Sequence, residues 1–74
     1  MVTVRVLYGD TGKAAERAKV SLGFSGLLRG VTRDEFTDRN GDAHFDAEPG
    51  TGKVFVKGKK VHEGYLSGRV IVYI

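Results

Sequence analysis

Apolar residues recur at every second position in two early segments of the chain. Val2, Val4, Val6 and Tyr8 share one side of the first, with Thr3 and Arg5 on the other. Ala18, Val20, Leu22 and Phe24 alternate with Lys19, Ser21 and Gly23 in the second. A period of two is the signature of a strand with one buried face, so strands are expected over residues 2–8 and 18–24. Gly9-Asp10-Thr11-Gly12 supplies turn chemistry after the first. Between the two, Lys13-Ala14-Ala15-Glu16-Arg17-Ala18 has good helix propensity, but so short an uncapped run cannot pay the cost of nucleation. It reads as a loop with room for a single helical turn.

Beyond Ser25-Gly26, a turn, residues 27–38 enter a strand over 31–37 through an irregular stretch. Asn40-Gly41 follows, just before Ala43-His44-Phe45-Asp46. A type I′ turn needs positive φ at both central residues, and Asn-Gly is the pair that most readily provides it. A hairpin is therefore expected here, with Phe36 and Phe45 on the core side of its arms and Asp38 and Asp42 as turn-stabilising acceptors. Further strands are expected over 53–57, 61–66 and 69–74, with Gly58-Lys59-Lys60 as a turn or bulge. About seven short strands, 11 glycines and one proline in 74 residues predict one all-β domain over residues 1–74, a small antiparallel β-sandwich or barrel.

The last strands break the one-face rule. Val70, Val72 and Ile74 occupy one side and Ile71 and Tyr73 the other, and Phe55 similarly opposes Val54 and Val56. A half-exposed sheet has no use for apolar residues on its outer face. Loops cover Phe55, Ile71 and Tyr73, or these three form an interface with another protein or a second copy of the chain. The second alternative would also relieve a thin core, since a domain of this size buries only about 60% of the surface that its unfolded chain exposes.

Charge adds a rival reading. Lys and Arg outnumber Asp and Glu by 12 to 9, for a net charge of +3, and the one dense point is Lys57-Gly58-Lys59-Lys60. A nucleic-acid-binding small barrel could set Lys53, Lys57, Lys59, Lys60 and Arg69 against phosphates, with Tyr65 or Phe55 as a stacking platform. The four-residue run Lys57-Gly58-Lys59-Lys60 is equally well explained by a solvated loop, so nucleic acid is the second choice of partner. Exposed Tyr8, Tyr65 or Tyr73 would suit a sugar face, but no spacing selects that use.

Catalytic and metal chemistry find little support. There is no cysteine, and Ser21, Ser25 and Ser67 lie in no nucleophile motif. Gly50-Thr51-Gly52-Lys53 lacks the hydroxyl residue of a phosphate loop, because Val54 stands in its place. His44 and His62 have no third ligand, and Asp38-Arg39-Asn40-Gly41-Asp42 fails the calcium-loop pattern at its sixth and twelfth positions, Ala43 and Pro49. No catalytic residue, cofactor or metal is expected. No run approaches the length of a membrane span, and the alternating N-terminus is unlike a signal peptide, so a chain complete as given would be cytoplasmic.

Three segments together carry a family pattern: Ala18-Lys19-Val20-Ser21-Leu22, then Thr37-Asp38-Arg39-Asn40-Gly41-Asp42-Ala43-His44-Phe45, then Pro49-Gly50-Thr51-Gly52-Lys53-Val54-Phe55-Val56-Lys57-Gly58. Over residues 2–58 the chain resembles the transthyretin-like, or carboxypeptidase regulatory-like, β-sandwich domains. It departs from them in lacking the proline between the first two strands and the aromatic after Pro-Gly. The resemblance implies a transthyretin-like or immunoglobulin-like sandwich acting as a non-catalytic accessory module, and it transfers no site residues.

Overall fold

In a computed structural model, which describes residues 1–26 and 30–74, the alternating segments lie in seven strands. They are β1 (Val2–Leu7), β2 (Lys19–Phe24), β3 (Glu35–Phe36), β4 (Asp42–Phe45), β5 (Gly50–Val56), β6 (Lys59–Leu66) and β7 (Gly68–Tyr73). The described residues contain no helix. Two sheets form, a three-stranded one in the order β4-β1-β7 and a four-stranded one in the order β3-β2-β5-β6.

Both sheets contribute to a single core, because the period of two sends every second side chain to the same side. Val2, Val4, Val6, Ala43, Phe45, Val70 and Val72 come from the first sheet, and Val20, Leu22, Val54, Val56 and Leu66 from the second. Leu22 and Leu66 are fully buried and each contributes about 1.5–3 kcal/mol relative to exposure. The segment between β1 and β2 is a loop, as its composition predicts. Ala14 bridges to Leu7, and Ala15 and Ala18 are buried against the core.

Several expectations are corrected. The domain is not wholly antiparallel: β1 and β7 run parallel, with Val4 opposite Val70 and Val6 opposite Val72. Tyr8 lies just past the end of β1 and is exposed, so it does not share the fate of Val2, Val4 and Val6. The strand expected over 31–37 shrinks to Glu35–Phe36, with Val31 exposed and joined to Gly23 by a single bridge. Leu27, Leu28 and Arg29, in the expected irregular entry to it, lie outside the described residues.

The turns exchange roles. Around Asn40-Gly41 only Gly41 has positive φ, at 82°. The Gly41 N–H donates to the Asp38 carbonyl, and the Asp38 N–H to the Asp42 carbonyl. That is a three-residue loop with glycine in the left-handed position, not a type I′ turn. Its arms also part company, since β3 pairs with β2 and β4 with β1, in different sheets. Phe36 is consequently 61% exposed, whereas Phe45 is buried as expected. The residues with positive φ at both turn centres are Lys57 (54°) and Gly58 (82°), which join β5 to β6 with Val56 opposite Lys59. Sequence chemistry favours Asn-Gly for this turn, and lysine is an unusual first member.

Candidate functional site

The outer face of the three-stranded sheet is held by charge. The Arg5 Nε and an Nη donate to the two carboxylate oxygens of Asp42, each at 2.9 Å, across the β1–β4 register. Arg69 on β7 lies 3.8 Å from the same carboxylate. The Arg5 hydrogen bond holds the Asp42 carboxyl below its ordinary range against the opposing effect of burial. Asp42 is thus an ion-pair anchor linking three strands, in place of the turn acceptor expected from sequence. Asp38 does act as an acceptor: its Oδ1 takes the backbone N–H groups of Asn40 and Asp42, and the Asp42 N–H leads in lowering its pKa. His44 is exposed, with Nδ1 3.0 Å from the Thr3 hydroxyl.

Among the described residues, β7 is the outer strand of its sheet, with β1 as its one neighbour. Just beyond β7, the Ile74 N–H donates to the Leu7 carbonyl and the Ile74 carbonyl accepts from the Gly9 N–H, so both backbone groups of Ile74 face β1. In a parallel pair the direction alternates along the strand. Val70 and Val72 therefore also turn their backbone groups to β1, while those of Arg69, Ile71 and Tyr73 point away from it. The side chains of Ile71 and Tyr73 are 48% and 60% exposed. Beside the C-terminal end of this edge lies a cleft of about 580 Å³ lined by Tyr8, Val56, Lys57, Lys59, Val61, Tyr73 and Ile74. Two tyrosines and two lysines meet over aliphatic residues there, and none of the described residues that line the space is acidic.

The three residues expected at an interface are not brought together. Ile71 and Tyr73 lie on the outer side of the three-stranded sheet, whereas Phe55 is half-buried on the outer side of the other sheet, next to Gly23. Loop cover, the first alternative for these residues, does not extend to Ile71 and Tyr73.

The expected basic set also divides. Lys57 and Lys59 share the cleft. Lys60 donates to Glu63 at 2.9 Å, and Lys53 stands opposite Glu63 in the β5–β6 register. The Glu63 carboxyl is lowered chiefly by the Lys60 hydrogen bond, with Lys53 contributing through its charge. Arg69 is on the other sheet, near Asp42. Tyr65 is exposed but faces Thr51 in the register rather than the cleft.

Sequence reasoning missed Thr37, which is buried. Its hydroxyl accepts the Ala18 N–H and donates to the Ala15 carbonyl, stapling the first loop to the segment before β4. No periodic signal marks such a residue. It also missed Tyr8 and Ile74 as cleft walls, because the cleft exists only once β7 lies alongside β1.

No family model matches the chain, and neither the curated proteins nor the solved structures contain a match to it.

Proposed function

We infer that this chain is a non-catalytic protein-interaction module, a β-sandwich of transthyretin-like kind that docks through its C-terminal strand. One observation carries the reading: Ile71 and Tyr73 expose large apolar side chains on a strand whose backbone groups at the same positions have no neighbouring strand. An edge of that kind is a template for pairing with another chain. Seven strands in two sheets, together with the order of the sequence motifs, support the transthyretin-like comparison. The strongest polar constellation, Arg5 with Asp42, joins the neighbouring strands β1 and β4, which suits a scaffold.

Sedimentation equilibrium at two salt concentrations tests self-association, with Tyr73→Lys as the variant and circular dichroism to show that it stays folded. A salt-insensitive oligomer that the variant converts to monomer places a second copy on this edge. A monomer in every condition overturns self-association and leaves a different chain as the occupant.

A second reading rests on the cleft, where Lys57 and Lys59 stand beside Tyr8 and Tyr73. Tyrosine stacking flanked by cations suits single-stranded nucleic acid. Two phosphate contacts would give a log–log salt slope of about −1.4 for oligothymidine.

A further inference from the structure

The inference rests on the docking reading above and names the partner. Three features converge at the β7 edge. First, the backbone groups of Arg69, Ile71 and Tyr73 point away from β1, so an added strand would find donors and acceptors at alternate positions. Second, the edge is flanked by cations at both ends, Arg69 near its start, where it shares the Asp42 carboxylate with Arg5, and Lys57 and Lys59 in the cleft beside its end, where no acidic residue among those described lines the wall. An antiparallel second copy centred on Ile71 would set Arg69 of one β7 against the Tyr73 end of the other, bringing cations towards cations. Charge therefore favours a different, acidic strand over self-pairing.

Third, Lys57 occupies a left-handed position at the cleft, with φ of 54°. A non-glycine residue there is disfavoured, and asparagine would hold the same turn with less strain. A lysine kept where the fold would prefer asparagine is the kind of local conflict found at functional sites.

We propose that β7 takes up an extended acidic peptide segment as an added strand, with alternate apolar side chains entering the cleft over Val56 and Val61 and carboxylates meeting Lys57 and Lys59. Backbone pairing would supply affinity, and the cleft and lysines would supply selectivity. A nucleic acid would not use the free backbone edge, and Glu63 already engages Lys60 and lies opposite Lys53, which leaves few free cations for phosphates.

The test is an NMR titration of the labelled chain with a blocked seven-residue peptide of alternating glutamate and valine. Controls are the matching lysine–valine peptide and oligothymidine. Shifts at the amides of Arg69, Ile71 and Tyr73 with the acidic peptide alone support the proposal. The variant Lys57→Asn/Lys59→Gln should weaken that binding by about tenfold. Lys57→Asn alone should leave the fold intact and raise its melting temperature while weakening binding. A purely structural lysine would not produce that pair of opposite effects. Equal binding of both peptides, or oligothymidine shifting the same amides in place of the peptide, overturns the assignment. If the peptide fails but these amides become protected as protein concentration rises, the docking reading stands and the acidic partner falls. If neither occurs, both fall.

Discussion

Of the four crossings between the sheets, two join one edge strand to another, β3 to β4 and β6 to β7, and the chain finishes these two margins in opposite ways. Between β3 and β4 the crossing is bonded shut: Asp38 accepts two backbone N–H groups, Thr37 staples the first loop, and Asp42 meets Arg5 just after the turn. Between β6 and β7 the crossing is the single residue Ser67, and the strand that follows is left with a free edge, exposed apolar side chains and a cleft. The other outer strands carry devices that discourage pairing. β3 is two residues long, β4 is short and carries the Asp42 ion pair, and β6 carries a bulge at Val61 and the charged Lys59, Lys60 and Glu63. β7 has only Arg69. The contrast teaches that the domain spends its polar groups closing one margin and leaves the other available for contact.

The contrast is broken most severely at Gly41. It is buried at φ 82°, and a Cβ there would lie 2.6 Å from the Val6 carbonyl oxygen. That oxygen already accepts the Ala15 N–H, and the Gly41 carbonyl accepts from the Val6 N–H, so neither backbone can withdraw cheaply. Gly41→Ala is expected to cost about 2–4 kcal/mol by combining left-handed strain with overpacking. Urea unfolding checks it. A loss below about 0.5 kcal/mol, the size of an ordinary surface change, would mean that the sealed margin is not what closes the fold.

How much of this was legible beforehand divides along the same line. The core alternation of β1 and β2 is written in period two, and burial enforces it. Turn assignment failed at Asn40-Gly41 because local chemistry specifies a turn but not the sheet that each arm joins. Phe36 ends exposed for that reason, paired with Lys19 on a different sheet from Phe45. The type I′ turn at Lys57-Gly58 was hidden because lysine is a poor signal for positive φ. For the site, apolar residues on both faces of the last strand drew attention to Ile71 and Tyr73, whose side chains are exposed. Phe55 satisfied the same pattern from the opposite sheet, and one-dimensional alternation cannot tell two outer faces apart.

A smaller effect is expected from the ion pair on the sealed side. The folded Asp42 carboxyl is held below its unfolded value of about 3.9, so in acid the unfolded chain binds more protons than the folded one. This contribution is fully present above the unfolded pKa and is lost as pH falls through the folded one. Asp42→Asn should therefore cost about 1 kcal/mol at pH 7, a value moderated because the Arg5 side chain is 31% exposed. The gap from the wild type should narrow as pH is lowered from 5 towards 2. Urea midpoints across that range provide the check. A gap that stays constant with pH would show that the carboxylate's charge is immaterial to folding.

The smallest stability effect belongs to the open margin. Ile71 is 48% exposed, and its outward side chain can be replaced without leaving a core cavity. Ile71→Thr keeps a β-branched residue suited to a strand, so stability should change by no more than about 0.5 kcal/mol. Association is where it should matter: less apolar surface beside the free edge should reduce retention on hydrophobic-interaction chromatography and weaken whatever pairs with β7. A melting temperature that falls as far as that of Gly41→Ala would mean that Ile71 supports the fold itself, and the distinction between a sealed and an open margin would fail. An unchanged fold with weaker association would instead separate the two tasks, closing the core on one side and recognising a partner on the other.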